Sequence, residues 1–150
     1  MPGKKSPRRK ASVQHTSGQS YLIFISHSTK DRWIARQIAG LLEKAGLKWG
    51  VKAFLDERDI EFGDSISETI RQNIQSCNEF LVLLTRNSID RPWVLIEINA
   101  AGGQNKKIIA VIDKVSPEEM PEIMLPYRAV DLNDLDEYIN QMVGRARGVK

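Results

Sequence analysis

With 150 residues, 41% of them hydrophobic and 27% charged, the chain has the size and balance of one globular domain. No apolar run approaches the roughly 18 residues that span a bilayer, and the N-terminus lacks a signal peptide's apolar core, so a cytoplasmic protein is expected. The net charge of +3 is local: Lys4, Lys5, Arg8, Arg9 and Lys10 make residues 1–20 +5, leaving 17 basic and 19 acidic side chains for the rest.

That basic segment is poor in large apolar groups and reads as a disordered tail, with 21–150 as the domain. Contact with nucleic acid or anionic lipid is expected of the tail alone, if of any part. Cys77 is the single cysteine, which excludes an internal disulfide and a multi-cysteine metal site. With only His15 and His27 besides, no metal is expected.

Tyr21 to Ser26 is a short apolar run of the kind that forms a strand buried on both faces. It breaks at His27-Ser28. Ser28 and Asp31 have the spacing of a capping box, and Ile34, Ile38, Leu41, Leu42 and Ala45 follow at helical spacing up to Gly46. Val51 to Asp56 reads as a second strand, at a sheet edge marked by Lys48 and Lys52. A polar loop from Glu57 to Asp64 carries Phe62-Gly63 at its tip. Ser65 and Glu68 repeat the capping spacing, and Ile66, Ile70 and Ile74 mark a second helix ending near Cys77.

Phe80 to Thr85 is a third, nearly all-apolar strand, and Arg86 to Arg91 is its exit loop. Pro92 suits the first position of the next helix and Asp90 can cap it. At about 100° per residue, Trp93, Val94, Ile96, Glu97, Ala100 and Ala101 share one broad side. Glu97 therefore points where apolar residues point, a costly placement unless the carboxylate has a partner or a task. Gly102-Gly103 reads as a helix stop. Lys107 to Ile112 and Arg128 to Leu132 are further strands, and Leu135, Tyr138, Ile139 and Met142 line a closing helix.

Strands alternating with helices predict an α/β fold: a flavodoxin-like, doubly wound, five-stranded parallel sheet of order 2-1-3-4-5. Ligands of such sheets bind where the order reverses, outside the carboxyl ends of the first and third strands. The flanking loops are Ser26–Asp31 and Arg86–Trp93. Glu97 lies one turn beyond the second, so a carboxylate on an apolar side and the default crevice converge.

At this point the residues resemble the Toll/interleukin receptor (TIR) domain family, over Tyr21 to about Gly148. Phe24-Ile25-Ser26-His27-Ser28 with Asp31 is similar to the family's first box. Phe54-Leu55-Asp56, then Asp59-Ile60 and Gly63, resembles its second strand and the loop called BB. Leu81 to Thr85 resembles the third strand. Trp93 with Glu97 matches the Trp-x-x-x-Glu signature.

The resemblance implies either a scaffold acting through TIR–TIR contacts or an enzyme cleaving NAD at the nicotinamide–ribose bond, a glycohydrolase or ADP-ribosyl cyclase of prokaryotic antiphage defence or virulence signalling. In the enzymes the glutamate at the position of Glu97 is catalytic. Ser26, His27, Ser28, Asp56, Gly63, Ser65 and Trp93 would then surround the substrate. NAD is implied as substrate, with no separate cofactor, and a second subunit as partner. Plant and animal enzymes often carry an arginine where this chain has Ser28, and plant members a serine where it has Arg91. Each residue also has a plainer reading: Ser28 and Asp31 as helix caps, Trp93 as core or wall, Cys77 as an inert buried thiol.

Overall fold

The computed structural model describes residues 20–55, 68–103 and 106–149. In chain order it contains Tyr21–Ser26 (β1), Arg32–Ala45 (α1), Val51–Leu55 (β2), Glu68–Ser76 (α2), Glu79–Leu84 (β3), Pro92–Gly102 (α3), Lys107–Ile112 (β4), Arg128–Asp131 (β5) and Leu135–Gly148 (α4). The five strands form one sheet, all pairs parallel, in the order β2-β1-β3-β4-β5. This is the predicted topology.

Strand alternation divides the core in two. Ile23 and Ile25 of β1, Leu81 and Leu83 of β3, and Ile109 and Val111 of β4 pack on one face beneath Ala35, Ile38 and Leu42 of α1 and Tyr138, Met142 and Ala146 of α4. Phe24, Phe80, Val82, Leu84, Ile108 and Ala110 point to the other face, beneath Ile74 of α2 and Ile98 and Ala101 of α3. Burial on both faces is why β1, β3 and β4 are continuous apolar runs. The rings of Phe24 and Phe80 stack, with centroids 5.2 Å apart. Gly50 enters β2 with φ 70°, in the left-handed region that favours glycine.

Two predicted caps differ from the structure. Ser28 does cap, but its hydroxyl accepts from Lys30 N at the head of a 3-10 turn, Thr29–Asp31, which intervenes before α1. Asp31 stands at the N-cap of α1 without a side-chain cap bond, its carboxylate being engaged elsewhere. At α3 the N-cap is Arg91, not Asp90, in extended backbone that lets Pro92 begin the helix.

The predicted side of α3 is also rotated. Ile96 is 48% exposed, whereas Glu97, Ile98 and Ala101 are buried. In a helix so rich in apolar residues the spacing leaves its phase open, and packing against β3 chooses it.

Candidate functional site

Alternation along β1 places the first element of the site. Phe24 points to the α2/α3 face, so Ser26 does as well. It ends the strand at the reversal of strand order, beneath α3. Ser26 is fully buried, and its hydroxyl donates to Oε2 of Glu97. Glu97 has no exposed surface. A serine and a carboxylate 71 residues apart in sequence therefore meet at the switch point.

His27, the next residue in the chain, is buried, with Nδ1 3.4 Å from the Ile25 carbonyl oxygen. Ser28 is buried as well. The two flanking loops are tied together by Asp31, itself buried. Thr85 Oγ1 donates to Asp31 Oδ2 at 2.6 Å, and Asn87 Nδ2 donates to Oδ1 at 2.8 Å. The Asn87 N–H in turn donates to Thr85 Oγ1 at 3.0 Å. Ser88 braces the same loop from inside. Its hydroxyl donates to the Leu83 carbonyl at 2.9 Å and accepts from Thr85 N at 2.9 Å. Arg91 Nε donates to the Asn87 carbonyl at 3.1 Å, so the arginine of this loop closes it locally.

Of the predicted site residues the structure joins Ser26 to Glu97, and His27 and Ser28, both buried, follow Ser26 in the chain. Asp56, Gly63 and Ser65 lie outside the described residues, as does Phe62. Trp93 is in the first turn of α3, and its side chain lies outside what is described. Among the described residues no group of three or more His, Cys, Asp or Glu side chains could hold a metal ion. Nor is any of their helices long and apolar enough to cross a membrane.

Sequence reasoning missed the bracing residues Thr85, Asn87 and Ser88, which read only as an exit loop. It also missed a second buried carboxylate at the opposite end of the sheet. Glu79 opens β3 and is 1% exposed. It accepts from Tyr21 Oη at 2.5 Å, Tyr138 Oη at 3.2 Å, and Arg145 Nη2 and Nε at 2.7 and 3.2 Å. Burial, then the hydrogen bond to Glu79 and its charge, raise the Tyr21 phenol well above its ordinary value. Burial works against the Arg145 cation, but the hydrogen bond and charge of Glu79 outweigh it and hold its proton more tightly. Four side chains are thereby tied to one another. This cluster holds structure together, whereas the Ser26–Glu97 pair has the position of a site.

Comparison with known proteins agrees with the fold. The TIR domain family model matches residues 23–143. Among curated relatives, the chain is 28% identical over 123 residues to a probable 2′ cyclic ADP-D-ribose synthase, BdTIR, of Brachypodium distachyon. That match covers 80% of this chain and 52% of the relative. It is 25% identical over 114 residues to the NAD(+) hydrolase TcpC of Escherichia coli O6:H1, covering 72% of this chain and 36% of the relative. The chain thus spans about half, or less, of the length of these relatives. Among solved structures it resembles the TIR domain of the Toll-related receptor TRR-2 of Hydra magnipapillata, with TM-score 0.61 and 20% identity. That match covers 85% of this chain and 96% of the receptor domain. On the matched family model and the order of the strands, the chain belongs to the TIR domain family.

Proposed function

We propose that this chain cleaves NAD at the nicotinamide–ribose bond, with Glu97 as the catalytic carboxylate. The observation that carries the reading is a wholly buried glutamate at the switch point, held by the Ser26 hydroxyl. Two relatives, one named an NAD(+) hydrolase and the other a probable 2′ cyclic ADP-D-ribose synthase, add support.

One carboxylate suffices for this chemistry. The bond from ribose C1′ to nicotinamide nitrogen breaks with its electron pair going to the ring. The ring changes from pyridinium cation to neutral nicotinamide, so no acid is required to protonate the leaving group. This differs from glycosidases, which use a pair of carboxylates. Positive charge develops on the ribose as the bond lengthens, and the Glu97 anion stabilises it in surroundings of low dielectric. Ser26 acts as a positioning residue, fixing the carboxylate before substrate arrives. Water then adds at C1′ and loses a proton, giving ADP-ribose. A nucleophile from the same ADP-ribose gives a cyclic product instead. NAD is the substrate and no separate cofactor enters. Self-association through TIR–TIR contacts and a cytoplasmic role in defence or virulence signalling complete the proposal.

The test is nicotinamide release from NAD at high protein concentration. Glu97→Gln is expected to lower turnover by about a hundredfold or more while the fold is retained. Undiminished turnover in that variant would overturn the reading. Ser26→Ala should reduce turnover less severely, because the carboxylate remains.

A non-catalytic adaptor is the second reading. Trp33 and Leu41 of α1 are 72% and 49% exposed, apolar side chains available for protein contact. It predicts no NAD cleavage in any assembled form, and partner binding lost in Trp33→Ser.

A further inference from the structure

The two ends of the sheet carry opposite charge. Because all strands are parallel and the helices return between them, strand beginnings and helix endings share one end of the molecule. Lys44 in the last turn of α1, Lys48 in the 3-10 turn before β2, Lys52 in β2, Lys107 and Arg128 opening β4 and β5, and Arg147 in the last turn of α4 all lie there, exposed. Among the described residues the acids that begin or end elements at this end are Glu43 and Glu79. Both are engaged, Glu43 accepting from Ala53 N at 3.0 Å and Glu79 from its tyrosines and arginine. The crevice end instead exposes Asp90, Glu118, Glu119, Asp134, Asp136 and Glu137 against Lys30, Arg86 and Lys114, with Arg86 3.7 Å from Glu119, and is acidic in balance.

Two further observations say what the basic end suits. Leu47, beside Lys48, is 76% exposed, and Val149, beyond Arg147, is 56% exposed. The 3-10 turn carrying Leu47 is in contact with α4, so both aliphatic side chains belong to the end that carries the cations. The chain also enters the sheet here, with Tyr21 N donating to the Gly50 carbonyl at 3.0 Å. The five cations of residues 1–20 are therefore joined to this end by the chain itself.

We infer that the basic end docks on an anionic membrane surface. A lipid headgroup layer accommodates both kinds of side chain, with cations at the phosphates and Leu47 and Val149 reaching toward the acyl boundary. A nucleic-acid backbone would meet the cations but leave the two aliphatic groups in water. Docked this way, the acidic end carrying Ser26 and Glu97 faces away from the bilayer, where a soluble substrate can reach it. The inference concerns a different surface from the proposed catalytic site and does not depend on NAD cleavage.

The full chain is sedimented with vesicles of phosphatidylcholine alone and of phosphatidylcholine with phosphatidylserine, at low and high salt. It is expected to pellet with the anionic vesicles, stay in solution with the neutral ones, and be released as salt rises. Each cation at such a surface strengthens partition roughly fivefold. The triple variant Lys48→Gln, Lys107→Gln, Arg147→Gln should thus lose on the order of a hundredfold. Arg145 is left in place because it holds Glu79. The single variants Lys107→Gln and Leu47→Ser, both at exposed positions, give smaller losses and keep the test valid if the triple variant does not fold. Equal partition to both vesicle types, or partition unaltered by every one of these variants, overturns the inference. So does preferential binding of duplex DNA that strips the protein from anionic vesicles at equal phosphate.

Discussion

The Thr85 hydroxyl donates to the Asp31 carboxylate at 2.6 Å, fastening the loop that leaves β3 to the turn that leaves β1. Asn87 reaches the other oxygen of the same carboxylate, so one side chain sets the spacing of the two loops that bound the switch point. Asp31→Ala removes the acceptor and leaves the buried Thr85 hydroxyl short of one partner, at a cost of about 2 kcal/mol. Urea unfolding measures that loss. In nicotinamide release the same variant should raise KM for NAD more than it lowers kcat, because it loosens the walls and leaves Glu97 in place.

Arg145→Met leaves Glu79 buried against two phenols with no cation. A broken buried ion pair of this kind costs about 3 kcal/mol. The Arg145 side chain is only 27% exposed and that of Glu79 1%, so solvent screens the pair little. The urea midpoint should fall accordingly, whereas the catalytic rate per folded molecule should not change, because the cluster lies at the far end of the sheet. Adding Glu79→Leu should restore part of the stability, since the uncompensated charge is then gone.

Stability should decline in alkali. Burial pushes the Cys77 thiol up from 9.0 to about 11, against the weaker opposing pull of Lys106 and of hydrogen bonds. The folded chain keeps this proton after the unfolded chain has released it. Stability is therefore full below pH 9.0 and is lost as pH rises toward about 11, by about 2–3 kcal/mol. Tyr21 and Tyr138, raised by burial first and by Glu79 second, prolong the decline above their ordinary value of 10.0. Urea midpoints across this range check the slope. Cys77→Ala should delay its onset until the tyrosines begin to titrate.

Two glycines should respond oppositely to alanine. A Cβ on Gly46 would lie 2.1 Å from Cγ2 of the buried Val51, where α1 hands over to β2, so Gly46→Ala should cost about 1–3 kcal/mol. A Cβ on Gly144, within α4, meets nothing within 4 Å. Gly144→Ala should stabilise by about 0.5–1 kcal/mol through helix propensity and a less flexible unfolded chain. Thermal melts of the two variants should move in opposite directions.

Local chemistry explains what could be read beforehand. The apolar runs of β1, β3 and β4 announce their burial, and their alternation with helices leads to the parallel order. Glu97 stands out because a charge interrupts an apolar stretch. Glu79 gives no such sign: it precedes its apolar run, as an exposed strand-end residue would. Its partners Tyr138 and Arg145 lie 59 and 66 residues away. Asp31 was legible as a polar residue near the crevice but not as a clamp, because its donors belong to a distant loop. The 3-10 turn after Ser28 inserts a step that the capping pattern alone does not reveal.

The knot at Glu79 joins residue 21, residue 79 and the last turns of the final helix. During synthesis the carboxylate enters the sheet long before its arginine has been made. A nascent chain released before residue 145 would hold that charge without its counterion, so the domain acquires its full stability only after the C-terminal helix has cleared the ribosome. Truncations that trim this helix should therefore yield chains that quality control removes.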